Sequence, residues 1–194
     1  MSRVWSAIVL VVMLVGPALA AGRDLGPQAP GRFDYYVLSL TWVPGFCATN
    51  GSDPGECAKG LGFALHGLWP QDEGGDYPSN CGADTLTPSE RATYAPLYAS
   101  PSLIAHEWPK HGTCAGLAAA DYFDLSKADV AKVVIPEAYR QPRTIRSREA
   151  RAVEQAFIAA NPTLPPGAVQ VVSTHGVVEE VHLCLTKAGD FRVC

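Results

Sequence analysis

Residues 33–42 read FDYYVLSLTW, a run of β-branched and aromatic side chains with high strand propensity. Alternation puts Tyr36, Leu38, Leu40 and Trp42 on one face and Phe33, Tyr35, Val37, Ser39 and Thr41 on the other, which predicts a central strand. Residues 43–60 carry Pro44, Gly45, Pro54 and Gly55 and predict a loop. Residues 61–69 (LGFALHGLW) predict a second strand, stopped by Pro70, and a polar, glycine-containing loop follows over 72–84. Thr87-Pro88-Ser89-Glu90 joins a capping box to a proline at the first helical position, so a helix is predicted over 88–98. Residues 121–134 predict helix in two pieces, the second capped by Ser126 with Asp129 three residues on, before Pro136. Residues 147–160 give the strongest helical pattern, with Ala150, Val153, Phe157 and Ala160 in one stripe and Asn161-Pro162 at its end. Strands are predicted over 169–173, 177–186 and 191–194, with Lys187 to Asp190 turning the last two, whereas residues 22–32 read as a loose lead-in. Strands at both ends framing helices make an α+β class.

Composition narrows the function. With 47% hydrophobic and 9% aromatic residues the chain of 194 is neither disordered nor collagenous. Residues 1–20 hold Arg3, a short apolar run from Ile8 to Val15 and Ala18-Leu19-Ala20, the pattern of a secretory signal. The run is too short to span a bilayer, so no membrane span is expected and the remaining residues 21–194 are expected to form one domain, exported to a periplasm or the outside. The formal charge of −4 becomes one unit more negative without Arg3, which disfavours a non-specific polyanion binder. Six Cys without a CxxC pair predict three disulfides rather than zinc ligation. Spacing favours Cys47 with Cys57, Cys81 with Cys114 and Cys184 with Cys194.

Three of the five His lie in two compact segments, His66 in FALHGLWPQ and His106 and His111 in HEWPKHGTC, the latter beside Glu107 and Lys110. Two imidazoles can act as acid and base at mild pH while a lysine and a third histidine hold negative charge. No GxSxG elbow is present and the cysteines are used by the disulfides, so an enzyme nucleophile is disfavoured. A zincin-like metal site needs histidines at i and i+4; here the spacing is i and i+5, roughly 140° apart on an ideal helix. The set suits a substrate that brings its own nucleophile, as the 2′-hydroxyl of RNA does beside its phosphodiester.

FALHGLWPQ and HEWPKHGTC resemble the two active-site segments of the ribonuclease T2 family, and FDYYVLSLTWVPGFC and VHLCLTKAGDFRVC resemble its first core strand and closing hairpin. The resemblance implies a central antiparallel sheet flanked by helices, no metal or other cofactor, and cleavage of single-stranded RNA through a 2′,3′-cyclic phosphate to a 3′-phosphate. Carried over by position, His66 is the general acid and His111 the general base. His106 binds phosphate, and Glu107 and Lys110 stabilise the transition state. Trp69 matches the base-stacking position, Tyr77 is a second aromatic wall, and Gln71 stands where some members carry an adenine-selecting Asp. A monomer acting on RNA is expected, and a relative that binds RNA without turnover is the alternative. Trp42 and Trp108 are assigned to packing, His175 and His182 to structural roles outside the site. Arg140, Arg143, Arg146, Arg148 and Arg151 are read as a solvated face, with a track for RNA phosphates as the sharper reading.

Overall fold

The computed structural model describes residues 22–50, 54–140 and 149–194; the predicted signal segment and Arg143, Arg146 and Arg148 lie outside them. A four-stranded antiparallel sheet in the order β2-β1-β4-β3 is its centre. Strand β1 (Tyr35–Trp42) is buried at every position, because neighbours flank it and protein covers both its faces. Tyr36, Leu38, Leu40 and Trp42 enter the main core. Tyr35 and Val37 pack with Cys184 in a smaller cluster on the opposite face, which Ser39 and Thr41 continue as buried polar positions. Phe33 departs from the expected alternation: it precedes the strand, meets Tyr36 at 4.7 Å and joins the main core.

The predicted loop at 43–60 is instead largely helical, as α1 (Val43–Asn50) and the short α2 (Pro54–Cys57), tied by the disulfide between Cys47 and Cys57. Pro44 is compatible with a first helical turn, where no N–H bond is needed, and Gly45 lets the helix lie against β4 (Val177–Leu185). A Cβ on Gly45 would stand 1.8 Å from the Val178 carbonyl oxygen. Strand β2 (Phe63–Gln71) runs through Pro70 rather than stopping there, since an edge strand tolerates the missing donor. Its register against β1 shifts: Ser39 faces Gly67 while Leu40 faces Leu65, leaving His66 as the extra residue of a β-bulge.

The capping box forms as predicted, with the Thr87 hydroxyl and the Glu90 carboxylate answering each other's backbone N–H groups, but α3 (Pro88–Tyr94) gives way to a 3₁₀ turn at Ala95–Leu97. Helix α4 (Pro101–Lys110) precedes α5 (Ala119–Ala131), which is continuous: the Ser126 hydroxyl donates to the Tyr122 carbonyl inside the helix instead of capping a second piece. Helix α6 (Ala150–Ala160) buries Val153 and Phe157. Strand β3 (Val169–Thr174) pairs with β4 through a tight turn at His175 and Gly176, both at positive φ. Residues 191–194 form no strand beyond a single bridge from Phe191 to Leu185, although the Cys184–Cys194 disulfide holds them there. The third disulfide joins Cys81 to Cys114, so all three pairings expected from spacing are present.

The lead-in is not loose. Leu25 N–H donates to the Tyr77 carbonyl at 2.9 Å, Tyr77 N–H to Arg23 and Ser79 N–H to Gly26, making a strap along the loop after β2. Helix α5 is anchored to the sheet by the buried Tyr122 hydroxyl, which donates to the Leu68 carbonyl at 2.8 Å. Tyr122→Phe is expected to cost about 1–3 kcal/mol in urea unfolding, because a buried acceptor loses a partner and the ring stays in place.

Candidate active site

The face of the sheet opposite the main core carries the candidate site. Ser39, Gly67, Trp69 and His182 share it by register, with Glu180 one pair further along β4. The bulge carries His66 onto the same site. Its Nδ1 lies 2.6 Å from Glu180 Oε1, across the width of β1, where Ser39 is small enough to leave room. The second Glu180 oxygen takes a bond from His182 Nε2 at 2.6 Å and one from the Ser39 hydroxyl at 3.3 Å.

Helix α4 brings the second segment against β2. Ile104 and Trp108 enter the main core, with the Trp108 indole N–H donating to the Asp84 carbonyl, which fits its assignment to packing. Glu107, fully buried, accepts the Trp69 indole N–H at 2.7 Å and stands 3.7 Å from His66 Nε2. Gly67 permits this approach: a Cβ there would meet Glu107 Oε2 at 2.0 Å and Trp69 Nε1 at 2.3 Å. The helix ends at Lys110, directly after Pro109, and His111 turns off it at φ −117° with its N–H still donating to the Glu107 carbonyl. Its ring consequently stacks on Trp69 at 5.2 Å and 28°, and stands 6.2 Å from His106.

That departure from helical geometry corrects the expectation that His106 and His111 diverge. One donor atom from each of His106, Glu107 and His111 lies within 4.8 Å of the others, a grouping compact enough for a cation. Tyr77 meets His111 at 6.2 Å, and the Lys110 ammonium stands 5.9 Å from the centre of the Tyr77 ring. Gln71 is buried at the end of β2 opposite Tyr35. Trp69 touches three imidazoles, since His66 and His182 meet it edge-on at 5.0 and 5.3 Å while His111 covers one face. His182 therefore belongs to the cluster rather than outside it. His175 is exposed in the β3–β4 turn; Arg140 pairs with Glu137 and Arg151 is exposed.

Charge is distributed unevenly. Burial alone would lower the pKa of His66, but the hydrogen bond and charge of Glu180, with Glu107 behind, raise it above the ordinary histidine value. Burial and the nearby Lys110, His106 and His66 push His111 far below that value. His106 is lowered too, by partial burial, Lys110 and His66. Burial raises Glu107 to about 7, against the opposing pull of His66, the Trp69 N–H and Lys110. Glu180, although buried, is held well below the ordinary carboxylate range by its bonds to His182 and His66.

The sequence model of the Ribonuclease T2 family matches residues 33–194. A protein named ribonuclease from Aeromonas hydrophila is 44% identical over 119 residues, covering 61% of this chain and 54% of that protein. A probable ribonuclease of Haemophilus influenzae is 34% identical over 116 residues, covering 51% and 43%. The chain thus spans about half the length of the curated relatives it matches. Among solved structures, an RNase-related protein from Calystegia sepium superposes with a TM-score of 0.66 at 22% identity, covering 84% of this chain and 90% of that one.

A carboxyl group whose folded pKa is raised binds its proton more tightly folded than unfolded, so it costs stability as pH climbs from its unfolded value to about 7. Glu107→Gln keeps an acceptor for Trp69 and removes that cost. Thermal unfolding should show the variant more stable by about 3 kcal/mol above pH 7, with the gain vanishing near pH 4. An equal difference at both pH values would contradict the assignment.

Proposed function

Because the chain belongs to the ribonuclease T2 family, we propose that it is an exported endoribonuclease that cleaves single-stranded RNA by transesterification without a metal. One observation carries the assignment of roles: two imidazoles in contact with the same indole sit in opposite electrostatic surroundings. His66, beside two carboxylates, is suited to hold a proton; His111, buried near cations, is suited to lack one.

His111 takes the proton of the 2′-hydroxyl, whose oxygen attacks phosphorus. His66 gives its Nε2 proton to the departing 5′-oxygen as the P–O5′ bond breaks, and a 2′,3′-cyclic phosphate remains. In the second stage the roles reverse: the now neutral His66 takes a proton from water, the hydroxyl adds to phosphorus, and the protonated His111 returns its proton to O2′, leaving a 3′-phosphate. Lys110, His106 and Glu107 complete the electrostatic setting of the crowded phosphorane. Trp69 and Tyr77 offer aromatic surface for a base, with Gln71 at the end of the same strand; because His111 covers one face of Trp69, a base would use what remains of the indole together with Tyr77. Three disulfides suit an oxidising compartment, and the segment 1–20 suits export, leaving 21–194 as a single catalytic domain acting as a monomer.

The base His must be neutral, so the acid limb of the rate lies below the ordinary histidine pKa; the acid His must be protonated, so the alkaline limb lies above it. The rate should therefore follow a bell with a broad top spanning that value. A rate that shows no fall on the alkaline side up to pH ~9, well above histidine's ordinary range, would contradict the assignment of His66 as the acid.

The direct test incubates the oxidised protein with mixed-sequence RNA in EDTA and reads product ends by mass spectrometry. Cyclic phosphate and 3′-phosphate ends are expected, with His66→Phe and His111→Phe each slower by about 10²- to 10⁴-fold. Loss of activity in EDTA, restored by a divalent cation, would replace this reading with metal-assisted chemistry at His106, Glu107 and His111. Absence of cleavage by folded protein would leave RNA binding without turnover.

A further inference from the structure

Glu180 was not among the residues that either histidine segment singles out, yet it makes the two shortest bonds of the cluster, 2.6 Å each to His66 and His182. It is reached from three sides. His66 comes from the bulge of β2, the Ser39 hydroxyl from β1, and His182 from Glu180's own strand two residues on. An ionised carboxylate can only accept, so each partner must donate to it. His66 Nδ1 therefore carries hydrogen in the neutral ring as well as in the cation. The nitrogen left to exchange a proton is Nε2, which points toward the buried Glu107, 3.7 Å away. His182 and Ser39 hold the second oxygen, leaving the carboxylate little freedom to release the ring.

We infer that Glu180 is a positioning residue for His66: its carboxylate holds the Nδ1 proton and so fixes Nε2 as the atom that delivers a proton to the departing oxygen. The inference rests on the acid role proposed for His66, and it makes His182 and Ser39 the brace of the pair. Carboxylates that orient a catalytic imidazole in this way are known to matter through tautomer and ring orientation rather than by accepting the proton themselves.

The test compares two substrates. A dinucleoside phosphate expels an alkoxide that must be protonated; a nucleoside 3′-(4-nitrophenyl phosphate) expels a stable anion that need not be. Glu180→Gln is expected to slow kcat on the first by about 10²-fold or more with KM little changed, and to spare the second. His66→Phe should show the same selectivity. Equal losses on both substrates in Glu180→Gln, or no loss on either, would overturn the inference. If His66→Phe is itself unselective, the acid assignment fails, a different outcome from an unselective Glu180→Gln beside a selective His66→Phe. Nitrogen-15 NMR of the native protein tests the geometry independently of any variant's folding. A hydrogen-bonded Nδ1–H of His66, absent from His66→Phe, is expected, whereas a neutral His66 bearing its proton on Nε2 with Nδ1 bare would overturn the pairing.

Discussion

The hydrogen bond from the Trp69 indole to the buried Glu107 carboxylate joins the two halves of the site. Trp69 belongs to the sheet and Glu107 to α4, so the bond fixes the depth at which the helix meets the strand. Gly67 sets the closest distance of that approach. Once the helix is seated there, its last turn brings Lys110 toward Tyr77, and His111 folds back over the indole. A buried carboxylate with a raised pKa is a costly anchor, and the fold offsets it with core contacts from the neighbouring Ile104 and Trp108. The helix thus buries apolar side chains on one stripe and a carboxylate on the next.

Much of this was legible in the chain. FALHGLWPQ and HEWPKHGTC stand out because each puts its candidate residues within a few positions of one another, and the structure brings both segments together around Trp69. The capping box at Thr87 and the apolar stripe at Val153 and Phe157 were readable for the same reason: caps and helical stripes are local signals. The three disulfides also join neighbours in the order of cysteines, so spacing sufficed.

What escaped reading was long-range. Glu180 and His182 lie in a strand that looks like ordinary alternating sequence, and only the order β2-β1-β4 carries them to His66. The bulge that makes this meeting possible exists in the register of two strands and has no signature in either alone. Helix α1 hid behind Pro44 and Gly45, residues that signal a turn; here the proline falls within the first turn and the glycine answers a carbonyl of β4. The i, i+5 spacing of His106 and His111 misled because it assumed helix through Lys110 and beyond, whereas the chain turns at His111.

The sheet order also governs when the chain acquires its chemistry. His66 and Glu180 are separated by 114 residues, and the strand bearing Glu180 is the last of the four in the chain. A nascent chain that ends between Cys114 and this strand carries every residue of both histidine segments and still lacks the support that orients one of them. Pairings of such separation close late in folding, after local helices have formed. On the proposed reading, a ribonuclease destined for export passes through a cytosol full of RNA. On that same reading, a chain still short of its final strand carries the parts of the proposed nuclease without the carboxylate that braces His66.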